Sequence, residues 1–195
     1  MSQLSARIRR AADVEVLTTV PARRVFAVIT FALLAAFSAH VSVPLAPVPI
    51  SLQTLVVLLA GLLLGPALGA TAMFAYVMAG AAGLPVFAAG AGVGYLFGPT
   101  GGYLLAFPAA AAAAGFIATP AQGGTFVRAT MLTLAATVAT LVVYLGGWSQ
   151  LAFLTGDAAA AFRTGVLPFL IGDVAKIVVA VVLALRLHRR TLALL

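Results

Sequence analysis

Apolar residues fill this chain in blocks, at about 25–40, 52–65, 67–83, 101–118, 128–146 and 167–187, with short Gly-, Pro- or Arg-containing segments between them. Most of the blocks approach the ~20 residues that an α-helix needs to cross a hydrocarbon layer, so the pattern predicts six helices. The second and third blocks adjoin at Gly65-Pro66-Ala67-Leu68-Gly69, which reads as a tight turn inside one apolar stretch. The second block is short and is expected to be tilted, broken or partly re-entrant.

Hydrophobic residues make up 64% of the 195 positions and charged residues 8%, against about 25% charged in a soluble domain. The pattern is therefore that of an all-α integral membrane protein, a six-helix transmembrane bundle with no room for a separate soluble domain. No Gly-x-x-x-x-Gly-Lys-Ser/Thr loop is present, so energy from ATP has to come from a partner. Cysteine is absent, which excludes disulfides, thiolate metal sites and cysteine nucleophiles. The only histidines, His40 and His188, sit near opposite ends of the chain. They argue against a metal centre and against an intramembrane serine protease, which needs a base beside its serine. No cofactor and no enzymatic activity are expected.

The net charge of +7 first suggests nucleic acid, yet the basic residues flank apolar spans, as positive-inside topology requires. With six crossings and the amino terminus inside, Arg7, Arg9, Arg10, Arg23, Arg24, Arg128, Arg186, Arg189 and Arg190 fall on the cytoplasmic side, nine of eleven basic residues. Arg163 falls outside and Lys176 within a span. An odd number of crossings would export the carboxy-terminal arginines, so both termini are placed in the cytoplasm. Arg23-Arg24 before an apolar run also resembles an export signal, but an uncleaved first span explains it without processing. The division is residues 1–24 as a polar basic segment, 25–187 as a six-span substrate-binding membrane domain and 188–195 as a short tail.

Four features carry candidate chemistry. Pro44, Pro47 and Pro49 precede Ile50-Ser51-Leu52-Gln53-Thr54 between the first two spans. Prolines resist helix formation there, and the segment is either a stiff connector with Ser51 as helix N-cap or a lid over a ligand. Gly83 to Tyr103 forms a glycine-rich outer loop. Its Gly90-Ala91-Gly92-Val93-Gly94 lacks the preceding strand of a nucleotide fingerprint, so it reads as a plain turn or as a loop that lets backbone amides approach a ligand. Ala32 with Ala36, and Ala35 with Ala39, repeat at four-residue spacing, a surface suited to close helix contact, internal or with a partner subunit. Asp173 and Lys176 stand at i and i+3 inside the last apolar block, on one helix face where they can neutralise each other.

A charge at membrane depth is costly unless paired or solvated. Asp173 lies five residues beyond Pro168, roughly 8 Å deeper at 1.5 Å per residue, which suits a pocket open to the outside. Together the pair fits a structural ion pair, or a small ligand with both N–H donors and acceptor oxygens. Tyr76, Phe87, Tyr103 and Phe169 are candidate apolar walls.

The runs Pro49-Ile50-Ser51-Leu52-Gln53-Thr54-Leu55, Leu58 to Pro66, Gly83-Leu84-Pro85-Val86-Phe87-Ala88, Gly98-Pro99-Thr100-Gly101-Gly102-Tyr103 and Leu167-Pro168-Phe169 with Gly172-Asp173 and Lys176 resemble the BioY family. These are the biotin-binding S components of energy-coupling factor (ECF) transporters. The resemblance implies biotin captured on the outer face of a cytoplasmic membrane of bacterial type, under a lid formed by the loop between helices one and two. It implies assembly with a transmembrane coupling subunit and two cytoplasmic ATPase subunits through alanine positions on helix one, here Ala32, Ala36 and Ala39. It assigns ligand contacts to Asp173 and Lys176, with Gln53, Thr54 and Tyr76 as further candidates. A stand-alone biotin transporter, or an S component for another small vitamin, is the alternative.

Overall fold

In a low-dielectric layer a backbone must satisfy its own N–H and C=O groups, and long apolar runs therefore fold as helices. The computed structural model describes residues 20–120 and 123–194; the basic segment before residue 20 and Leu195 lie outside them. Its elements are α1 (Val20–His40), the two-residue strands β1 (Ser42–Val43) and β2 (Ile50–Ser51), α2 (Gln53–Ala81), α3 (Gly101–Ala118), α4 (Thr125–Thr155), α5 (Ala158–Gly165) and α6 (Leu170–Leu194). Short 3-10 turns at Val93–Phe97 and Leu167–Phe169 precede α3 and α6. Among the described residues five helical stretches are long and apolar enough to cross a membrane, and the chain is a multi-pass membrane protein.

The turn expected at Gly65-Pro66 breaks α2. Gly65 has φ 80° and ψ 179°, a backbone state open essentially to glycine alone. The two halves fold back on each other: a side chain at Gly69 would run into Ala60 and Gly61, and Gln53 reaches Tyr76. Helix α3 crosses this hairpin closely, because Gly61 leaves room for Ala111 and Ala114, and Gly115 leaves room for Gly65 and Pro66. The alanine run of α3 is thus used for internal contact, with Ala110, Ala111 and Ala114 fully buried.

On α1 the small residues also face inward. Ala35 and Ala39 have no exposed surface, and Ala32 and Ala36 are half-buried against the core. Ala39 therefore has no surface left for a partner, contrary to the docking role expected of it. The outer face of α1 carries exposed Phe26, Ile29, Leu33 and Phe37 instead.

Helix α4 runs past its apolar block to Thr155, where Gly156 in the left-handed region (φ 69°) ends it. Asp157 then caps α5, its carboxylate accepting from the N–H groups of Ala159 and Ala160 at 2.8 and 3.0 Å. Helix α6 continues through the positions expected as a tail.

The loops gather at two ends. At one, Arg24, Gly65, Pro66 and Thr119 line a common cavity, and the Arg128 guanidinium donates to the Leu185 carbonyl. At the other lie the β1–β2 loop, the 82–100 loop and α5. Gln150 of α4 ties down the second of these by donating to the carbonyls of Leu96 and Gly98 at 2.9 and 2.7 Å.

Candidate ligand-binding site

The first turns of α2, α3 and α6 converge at the second end, and α4 passes beside them. Asp173 and Lys176 share a face of α6, and the Lys176 Nζ lies 2.7 Å from Asp173 Oδ1. Both are buried, with 3% and 8% exposure, so each charge depends on its partners for the hydration it has lost. Those partners come from two other helices. The Thr54 hydroxyl donates to Asp173 Oδ1 at 3.1 Å and accepts from Lys176 Nζ at 2.9 Å. The Tyr144 hydroxyl donates to Asp173 Oδ2 at 2.6 Å.

A second chain of bonds starts at Ser51. Its hydroxyl accepts from the Gln53 backbone N–H at 3.3 Å and donates to Gln53 Oε1 at 2.8 Å. The cap position itself belongs to Leu52, one residue later than expected. Gln53 Nε2 donates to the Tyr76 hydroxyl at 2.6 Å, which donates on to the Val86 carbonyl at 3.0 Å. The chain runs from the β1–β2 loop through both halves of α2 to the 82–100 loop.

The two networks border one cavity of about 40 Å³. Gln53, Thr54, Tyr103, Asp173 and Lys176, all singled out from the sequence, line it together with Phe169. The β1–β2 loop closes over it with Val48, Pro49 and Ser51, and Val48 is 4% exposed. Tyr103 donates to the Gly165 carbonyl at 2.6 Å, which fixes its ring beside Phe169 at 6.2 Å between centroids. Gly147 leaves the space that ring occupies.

Two expected walls stand back from the cavity. Tyr76 is not one of its lining residues; its ring stacks 6.4 Å from Phe107, which is. Phe87 lies further out, edge-on to Tyr76 at 5.7 Å and stacked on Tyr95 at 5.2 Å. Two glycines, one in the last turn of α2 and one in the outer loop, serve this aromatic cluster: the Phe87 ring fills the space left by Gly80, and the Tyr95 ring that left by Gly90. Of the loop, Thr100 lines the cavity.

Tyr144, which lines the cavity and holds Asp173, is the member of the candidate site that the sequence pattern does not single out. A tyrosine in the middle of an apolar span was the available signal, because a buried hydroxyl has to find a partner. Chemically, the site offers a carboxylate that accepts, an amide and an ammonium that donate, and aromatic walls. It reads as a binding site.

The sequence matches the model of the BioY family over residues 9–193. It is 42% identical to a probable biotin transporter BioY of Pyrococcus horikoshii, over 87% of this chain and 99% of that one. It is 39% identical to a biotin transporter BioY of Thermotoga maritima, over 82% of this chain and 92% of that one. The fold is similar to a crystal structure of the S-component for biotin from an ECF-type ABC transporter, with a TM-score of 0.73 and 26% identity over 86% of this chain and 91% of that chain.

Proposed function

This chain belongs to the BioY family, and we propose that it captures biotin at the cavity beneath the β1–β2 loop and serves biotin uptake as the membrane-embedded substrate-binding subunit of an ECF-type importer. The observation that carries the reading is the buried network of Asp173, Lys176, Thr54 and Tyr144. Biotin presents two ureido N–H donors, a ureido oxygen, an apolar bicycle and a carboxylate. Asp173 suits the N–H donors, while Gln53 and Lys176 suit the ureido oxygen. Tyr103, Phe107 and Phe169 suit the bicycle, with Tyr76 and Phe87 supporting them from behind.

Residues 25–187 form the membrane domain in this proposal, crossing six times because each half of the α2 hairpin counts as a crossing. Both termini then lie in the cytoplasm of a bacterial-type cell, with the cavity facing out. The placement of both Arg24 and Arg128 at the end opposite the cavity supports this orientation. A transmembrane coupling subunit and two cytoplasmic ATPases complete the importer, and docking falls to α1 around Ala32 and Ala36.

Retention of displaceable radiolabelled biotin by the purified chain, without ATP, tests the proposal, with thiamine and riboflavin as controls. Absence of specific retention in a folded sample overturns it; preference for a control points to another vitamin. Uptake by the purified chain alone in liposomes would identify a stand-alone transporter.

A further inference from the structure

We infer that the site recognises its ligand by the ureido head and leaves the acidic tail without a counter-charge, so that neutral biotin derivatives extended at the carboxyl are ligands on a par with biotin. The inference rests on the proposed biotin site and follows from its charges. The cavity is lined by one carboxylate and one ammonium, held together at 2.7 Å. Lys176 also donates to Thr54, and its lining neighbours are apolar or carry neutral hydroxyl and amide groups.

The segments covering the cavity bring no cation to it. Residues 25–127 contain no lysine or arginine, and this stretch includes both the β1–β2 loop and the 82–100 loop. His40, where α1 meets the first loop, is exposed with Nδ1 2.9 Å from its own helix's Ala36 carbonyl, and it is not a lining residue. Arg163 on α5 is exposed and likewise does not line the cavity. Arg128 and Arg186 stand at the far end, by the Leu185 carbonyl.

A carboxylate drawn into this cavity would lose its hydration and meet a pair that is already neutral, which is unfavourable. Among the described residues the one cation within reach is Lys176, which would have to leave Asp173 and strand that charge in turn. The ligand's carboxylate therefore stays at the mouth, in water, where its charge contributes little to affinity. Amidation at that position removes a charge the site does not read.

Competition against labelled biotin on the purified full chain tests this, with biotin, biotinamide and ε-biotinyl-lysine as competitors. The expected result is dissociation constants within about threefold of one another, and the same for biotin binding to Arg163→Gln. Biotin bound tightly with biotinamide weakened a hundredfold or more overturns the inference alone. A tenfold loss for biotin but not biotinamide in Arg163→Gln also overturns it, by making Arg163 the tail's counter-ion. Failure of biotin itself to bind a folded sample overturns the proposed function, and this inference with it.

Discussion

Asp173 accepts from three residues on three helices, and the value of each bond depends on what replaces it when a ligand arrives. Removing either member of the ion pair strands the other, so Asp173→Asn and Lys176→Met should each weaken biotin binding by about 1–3 kcal/mol. The double variant separates lost ligand contact from lost pairing, because a non-additive pair marks their coupling. Calorimetry on all three checks this, and near-native affinity in both single variants would leave the pair a structural role only. Tyr144→Phe should behave differently. It leaves Asp173 Oδ2 without its 2.6 Å donor, so the ligand-free protein should lose about 1.5–3 kcal/mol of stability. A ureido N–H can fill the vacated position, so biotin should raise the melting temperature of Tyr144→Phe by more than it raises that of the parent. An equal rise in both would place Tyr144 outside the ligand's reach.

Helix boundaries were legible where composition decided them and not where tertiary partners did. The block at 101–118 matches α3 to the residue, because glycines and a loop bound it on both sides. Helix α4 overran its block, since Gln150 in its polar final turns bonds to the carbonyls of the 82–100 loop, a partner that local pattern does not contain. Helix α5 could have been found from Asp157 ahead of an alanine run. Gly65-Pro66 did show the turn in α2, and its backbone state makes a prediction: Gly65→Ala should destabilise the protein by about 1–3 kcal/mol. Gly94→Ala, with open space around it, should change stability by no more than about 0.5 kcal/mol. Thermal unfolding in detergent checks both, and indifference at Gly65 would mean the hairpin turn relaxes freely. The polar half of the candidate site was legible because charges in an apolar block stand out. Its aromatic half was less so, because Phe87 differs from Phe169 only in where the fold takes it. On α1, Ala32→Trp and Ala36→Trp should block uptake in cells while leaving biotin binding to the folded chain near native. Loss of binding as well would assign the positions to internal packing, and retained uptake would free them from any docking role.

At the scale of the whole molecule the decisive quantity is the size of the cavity. Sites for small molecules usually span ~300–1,000 Å³, and the space between the two networks is about 40 Å³. Biotin therefore requires the walls to separate. The helices are poor candidates for that movement, since glycine and alanine contacts lock α2, α3 and α4 together. The β1–β2 loop is the better one: it is joined to the bundle by Val41–Leu52 backbone pairing at its base and by Ser51 to Gln53, and its three prolines keep it stiff enough to swing as a unit. If it opens to admit biotin and closes over it, a side chain on its inner face must alternate between exposed and buried. Bound ligand then shifts the population toward closure. The chain has no cysteine, so Val48→Cys places a single thiol on that inner face. Its rate of modification by a maleimide should fall at least tenfold when saturating biotin is added, while a single cysteine in place of the exposed Phe153 should react at an unchanged rate. Equal protection of position 48 with and without biotin would show that the loop does not open, and would require the ligand to enter between the helices instead.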